Sequence, residues 1–237
     1  MKQTNYIFIV PNNDLEAVEI INLLRARKEV WVVSNQFWGA SWEKLEEAVT
    51  AEVEKQLVAS PEAKVIGLEL AGTPRWNGAN IDSHVWGNED RSSEKCSLEQ
   101  LAELLGVELN EYQKLVAIND MEWIPGLQKA GVADDVITVI RQSDRCAQGV
   151  TPDDEAQAVR DIENLVAKGK KISLVCATNA ISAYADRFYF NPGFEELLLI
   201  LPAKAVYFGS RNNEIHNHIK GLGLVMYEPQ YSQKTMA

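Results

Sequence analysis

The sequence predicts an α/β protein: a doubly wound, mainly parallel sheet with a second, smaller α+β domain. Two observations carry this. In the first part of the chain, short apolar runs alternate with segments of helical periodicity, the pattern of βαβ units. Past residue 150, a strongly signalled helix start leads into several closely spaced strand-like runs. The corresponding boundaries are an α/β domain over 1–150, a connecting helix over 151–168 and a small α+β domain over 169–237.

Taken in order, residues 6–10 (YIFIV) form a continuous apolar run, as expected of a strand buried on both faces. The spacing of Leu15, Val18, Ile21 and Leu24 is helical, with Asn12, Asn13 and Asp14 as candidate caps. A second strand follows at 30–33 (VWVV). Ser41 opens a long helical segment that Pro61 closes, a third strand lies at 64–70, and a short fourth one at 79–81 leads into Asp82. From Ser97 to about Lys168 the pattern is helical, and Ser97 and Asn110 are each followed three residues later by Gln, as in a capping box. Thr151-Pro152-Asp153-Asp154-Glu155 combines a cap, a proline at the first helical position and acids at the positive end of the helix dipole. Gly169 ends that helix. Residues 172–177, 187–190, 196–201 and 205–208 then read as strands, and 212–220 as a helix.

Charge and composition limit the functions open to the chain. Its 237 residues carry 23 basic and 34 acidic side chains, and 24 of the acids lie in residues 1–150 against 14 Lys and Arg. A protein that wraps duplex nucleic acid needs a basic face, and this composition excludes that class. Small anionic ligands stay open, because a metal ion or a helix N-terminus neutralises them locally. No apolar run approaches the ~20 residues of a membrane span, and the start lacks the layout of a signal peptide. Cys96, Cys146 and Cys176 have no C-x-x-C spacing and read as buried free thiols. A cytoplasmic location is the expectation, with oligomeric state left open.

In a parallel sheet, ligands bind just past the carboxyl ends of the strands. Asn12 and Asp14 follow the first strand, Asn35 and Gln36 the second, Glu69 ends the third, and Asp82 and His84 follow the fourth. Asp120 lies where an apolar helix runs out. Asp14, Glu16, Glu69, Asp82 and Asp120 would then share one sheet edge, where their mutual repulsion calls for protonation or a cation. Hard oxygen donors with one imidazole suit Mg²⁺ or Mn²⁺.

Several stretches resemble the DHH phosphoesterase superfamily. They are Asn80-Ile81-Asp82-Ser83-His84, residues 96–106 (CSLEQLAELLG), Ala117-Ile118-Asn119-Asp120 with residues 123–127 (WIPGL), and residues 140–149 (IRQSDRCAQG). The resemblance covers most of residues 5–150, and the rest is compatible with the smaller domain usually attached. It implies a phosphoesterase using Mn²⁺ or Mg²⁺ on a small phosphorylated ligand, a short oligonucleotide or a nucleotide. By the same resemblance Asp14, Glu69, Asp82 and Asp120 are metal ligands and Glu16 is a substituted one. Asp82 and His84 are catalytic, and His84 with Arg211 binds substrate. Ser83 stands where the family has the first His of its D-H-H, and Asn12 where a His is usual near the first acid pair. The alternative is a noncatalytic protein that binds a nucleotide or a protein partner through the same cleft.

The remaining features are less specific. Trp38, Trp76 and Trp86 fall in loops after strands and either stack on a nucleobase or cover the sheet edge, the simpler use. Lys168, Lys170, Lys171, Arg187 and Arg211 form either a phosphate clamp or a charged helix end. His216-Asn217-His218 spells a nuclease motif, but i and i+2 point apart on a helix, so a solvated face is the expected reading.

Overall fold

In the computed structural model, residues 5–86, 89–91, 94–163, 165, 171–190, 194–209 and 226–227 are described. The chain divides into two units, Met1–Met121 and Glu122–Ala237. In the first, β1 (Tyr6–Pro11), β2 (Val30–Ser34), β3 (Lys64–Leu68) and β4 (Ala79–Ile81) form an all-parallel sheet in the order β2-β1-β3-β4. Strand β1 is central and buried from Ile7 to Pro11, which explains why its sequence is continuously apolar rather than alternating. The chain adds β2 on one side of β1 and returns to add β3 on the other. The strand order thus reverses between β1 and β3, the position at which parallel sheets bind ligands.

Helix α1 (Leu15–Arg27) starts at Asp14, whose Oδ1 accepts from the Ala17 backbone N–H at 2.9 Å. It ends at Lys28 in the left-handed conformation (φ 58°). The segment from Ser41 is not one continuous helix. A single 3₁₀ turn, Trp42–Lys44, is separated from α2 (Glu47–Ala59) by extended backbone at Leu45 and Glu46. The reason is local: the Glu46 carboxylate accepts from Ser34 Oγ and the Asn35 backbone N–H, tying the end of β2 to the start of α2. Trp42 is buried with Ile7, Ile9, Val49, Val53, Val65 and Leu70. Its indole lies over Gly67 of β3, where a Cβ would come within 2.4 Å of the ring.

A two-stranded antiparallel ribbon, β5 (Val85–Trp86) with β6 (Glu89–Asp90), precedes α3 (Ser97–Leu105). Cys96, not Ser97, is the N-cap of α3. The expected box at Asn110 is present: Gln113 donates its N–H to Asn110 Oδ1 (2.9 Å) and accepts the Asn110 N–H at Oε1 (3.1 Å). Helix α4 (Glu111–Lys129) is interrupted at Trp123, whose φ of 54° and ψ of −146° are not helical. Pro125 therefore sits in the first turn of the second half, where its missing N–H costs little.

The second unit contains α5 (Asp134–Ala147), α6 (Pro152–Glu163), β7 (Lys171–Val175), α7 (Ile181–Phe190), β8 (Glu196–Ile200), β9 (Ala205–Phe208) and β10 (Met226–Tyr227). Its sheet has the order β10-β9-β8-β7, with β8 and β9 antiparallel and the other pairs parallel. The Thr151 cap is as expected, exchanging hydrogen bonds with Asp154 through Oγ1 and its backbone N–H. Residues 187–190 are not a strand but the last turn of α7. That helix is set by burial of Ala183, Tyr184, Ala185 and Phe188 and by Asp186, which accepts from Arg141, Arg145 and the Trp123 indole. Cys96 and Cys176 are buried, but Cys146 is exposed, contrary to expectation, and all three are free. The expected helix at 212–220, Gly169 and the 216–218 triplet lie outside the described residues. No helix among the described residues is long and apolar enough to cross a membrane.

Candidate metal centre

The carboxyl ends of β1, β3 and β4 deliver their side chains to one place. Immediately after β1, Asn13 donates from Nδ2 to Glu69 Oε2 at 3.1 Å. Asp14 caps α1, and that cap aims the first turn of the helix so that Glu16 enters the same region. Glu69 follows β3 and holds a left-handed backbone (φ 52°), a conformation that costs a non-glycine residue about 1–2 kcal/mol. Such strain persists where the surroundings fix it, often at functional sites. Here the Glu69 N–H is held by the Ile81 carbonyl (2.9 Å), and its carboxylate by Asn13 and by Ser97 Oγ (3.4 Å). The Ser97 hydroxyl is thus directed at Glu69 rather than at capping α3.

Asp82, after β4, is 1% exposed, and its Oδ1 accepts from both the backbone N–H and Nδ1 of His84, each at 2.9 Å. Glu69 Oε1 is 3.6 Å from the same Nδ1. One ligand atom each from Glu69, Asp82 and His84 lie within 4.8 Å of one another, as do atoms of Glu16, Cys96 and Asp120. Glu16 joins the two groups, because Glu69 and Asp120 both act on it. The structure therefore brings Glu69, Asp82, His84 and Asp120 into one buried region, with Asp14 close enough to Glu16 to affect its charge. Arg211 and most of the proposed basic concentration lie outside the described residues. Arg187 belongs to a different arrangement, pairing with Glu155 at 2.5 Å.

The electrostatics of the region are those of excess negative charge. Burial is the largest influence on Glu16, followed by the charges of Asp120, Glu69 and Asp14, and together they raise its carboxyl well above the usual range. Its Oε1 accepts from the Leu98 backbone N–H (2.8 Å), in the first turn of α3. Its Oε2 is buried and makes no hydrogen bond, while the Glu69 carboxyl and the Cys96 thiol lie beside the Glu16 side chain. Burial opposes a charge on His84, yet the Asp82 hydrogen bond and the charges of Glu69, Asp120 and Asp82 prevail and push the imidazole up to about 10. Burial, then Glu16 and Asp120, push the Cys96 thiol up, so it stays neutral and lines the site as a packed group.

Two buried oxygens in this region, Glu16 Oε2 and Asn13 Oδ1, accept no hydrogen bond. A proton shared with Glu69 would satisfy Glu16 Oε2, and a hard cation among the carboxylates would satisfy both oxygens. Oxygen donors beside a neutral thiol fit Mn²⁺ or Mg²⁺ and disfavour a thiolate-seeking metal.

Asp82, His84, Glu69, Asp14 and Asp120 were legible as residues following strands or a helix end. The partnership of Asn13 with Glu69, the placement of Ser97 and the lining role of Cys96 were not. The sequence marked Ser97 as a helix start and Cys96 as a buried thiol, neither of which placed them beside the acids. No family model matches the chain, and no curated protein matches it.

Proposed function

We propose that the protein is a divergent DHH-like, metal-dependent phosphoesterase acting on a small phosphodiester, a short oligonucleotide or a nucleotide derivative. The observation that carries this reading is the set of buried carboxylates at the switch point with Glu16 Oε2 and Asn13 Oδ1 left without donors. Glu16, Glu69, Asp82 and Asp120 would hold Mn²⁺ or Mg²⁺, with Asp14 adding charge from the α1 cap. The ion, when bound, supplies a polarised phosphoryl oxygen and an acidified water. Asp82 orients His84, which binds the phosphoryl group or gives its proton to the leaving oxygen. In this reading the first unit is a doubly wound layer, the segment beyond residue 150 acts as a smaller α+β domain, and the protein works in the cytoplasm.

A second reading follows from Ser83 and Asn12, which replace two imidazoles of the family pattern. With fewer nitrogen ligands the centre would bind a nucleotide without turning it over. Hydrolysis of a 5′-phosphorylated dinucleotide decides between them. The proposal expects Mn²⁺-dependent cleavage that EDTA abolishes and that Asp82→Ala lowers by at least about 100-fold, in line with loss of a catalytic group. Nucleotide binding without cleavage at any Mn²⁺ or Mg²⁺ concentration contradicts it in favour of the second reading.

A further inference from the structure

Of the five tryptophans whose side chains are described, only Trp38 is exposed. Trp42 and Trp123 are buried, Trp31 lies under Arg25, and Trp76 packs against Trp42 and Arg75. Trp38 is 50% exposed, and its neighbour Phe37 is 62% exposed. Apolar rings on a loop ordinarily signal a mobile or loosely packed segment, but this loop is fastened along its length. Gln36 spans it, donating from Nε2 to the Ser41 carbonyl (3.1 Å) and accepting the Ser41 N–H at Oε1 (3.0 Å). Lys44 Nζ donates to the Gly39 carbonyl, and Glu46 holds the start of the loop at Ser34 and Asn35. Beyond Ser41, Trp42 donates its backbone N–H to the Ala71 carbonyl at 3.1 Å. The loop backbone that carries the two exposed rings is therefore fixed by polar contacts.

Their position is not arbitrary. The Trp38 indole meets the His84 imidazole edge to face, with centroids 6.3 Å apart and planes at 82°. His84 in turn bonds Asp82 and approaches Glu69. A flat, half-exposed aromatic surface thus begins about one ribose away from the group proposed to meet the phosphoryl oxygens. Aromatic side chains at such a distance bind bases by stacking, which tolerates any base because every base has a π-face.

We propose that the Phe37–Trp38 loop is a stacking platform for a nucleobase, so that the substrate of the neighbouring centre is a phosphoester carrying an aromatic base. This rests on the phosphoesterase reading for the role of the acidic centre, but not for the stacking itself. The platform takes the base of a mononucleotide or the terminal base of an oligonucleotide. A baseless phosphate ester meets only the acidic centre and binds more weakly.

The test is calorimetric titration of the full chain, in Mn²⁺, with AMP and with ribose 5-phosphate, which carry the same phosphate and differ by the base. KM and kcat for a 5′-phosphorylated dinucleotide are measured in parallel. Wild type is expected to bind AMP roughly tenfold or more tighter than ribose 5-phosphate, Trp38→Ala to lose that difference, and Trp38→Phe to keep most of it. A platform role raises KM for the dinucleotide in Trp38→Ala and leaves kcat nearly unchanged. The loss is expected for AMP and for the dinucleotide alike. Equal binding of AMP and ribose 5-phosphate by wild type, or no change in Trp38→Ala for either probe, overturns the inference. The thermal shift with Mn²⁺ separates the two readings. If Mn²⁺ stabilises both proteins but no base discrimination exists, the metal centre stands and the platform falls. If base discrimination depends on Trp38 while Mn²⁺ has no effect, the platform stands and the phosphoesterase reading falls.

Discussion

Burying Glu16 beside Asp14, Glu69 and Asp120 opposes folding, because each charge raises the cost of the others and no donor reaches Oε2. Glu16→Gln removes the ionisable carboxyl, whose raised value costs folding free energy at neutral pH, and offers an amide donor to Glu69. In EDTA this substitution is expected to raise the melting temperature, by about 2–4 °C for each kcal/mol of relief in a chain of this size. The same substitution is expected to abolish any rise produced by Mn²⁺. Calorimetry of both proteins in EDTA and in Mn²⁺ checks the pair of outcomes, and a less stable variant in EDTA contradicts the repulsion argument. A residue whose removal stabilises the metal-free fold and removes ligand response is one retained for binding.

Individual elements show how packing and chemistry share the same strands. Gly67 lies on β3 two residues before Glu69, and the buried Trp42 indole covers it. Gly67→Ala forces that ring out of place and is expected to destabilise the first unit by about 1–3 kcal/mol, read as a shift in the urea midpoint without a change in slope. In the second unit, Asp161 of α6 accepts from the Ala177 backbone N–H (2.9 Å), the Tyr184 hydroxyl (2.8 Å) and Gln157 (2.7 Å), joining α6 to the loop after β7 and to α7. Burial works to raise its carboxyl, but these hydrogen bonds and the charge of Arg160 win and hold it below the usual range. A depressed carboxylate contributes stability above its unfolded value near 3.9, and that contribution is lost as pH falls through the lower folded value. Below about pH 4 the melting temperature of wild type should therefore fall more steeply than that of Asp161→Asn; parallel acid limbs would contradict this. The strands of the first sheet were legible because an apolar run bounded by turns has few other uses. Residues 187–190 were not, since Phe188, Tyr189 and Phe190 favour strands while the buried ion pairs of Asp186 demand a helix. Trp38 was ambiguous for a related reason: sequence places it after β2, but only the Gln36 bridge across the loop determines whether it covers the sheet or faces water.

At the scale of the whole molecule, acids concentrated in residues 1–150 act in two ways. Their long-range field repels polyanions, and the cluster at the switch point creates a local sink for a cation. Most acids of that cluster were legible from the chain order, because Glu69 and Asp82 directly follow β3 and β4 and Asp14 caps the helix after β1. Their convergence depended on the β2-β1-β3-β4 order, and the left-handed Glu69 and the orphaned Asn13 oxygen left no mark in the sequence. The most direct test is a thermal-unfolding series with Mn²⁺ from micromolar to millimolar, on wild type and on Glu69→Gln with Asp82→Asn. A ligand that binds the native state raises the melting point by mass action, about 2.7 kcal/mol at a hundredfold excess over Kd. The account predicts a rise that grows with Mn²⁺ in wild type and is absent from the double variant. A wild-type melting point that does not move up to millimolar Mn²⁺, or an equal rise in both proteins, contradicts it.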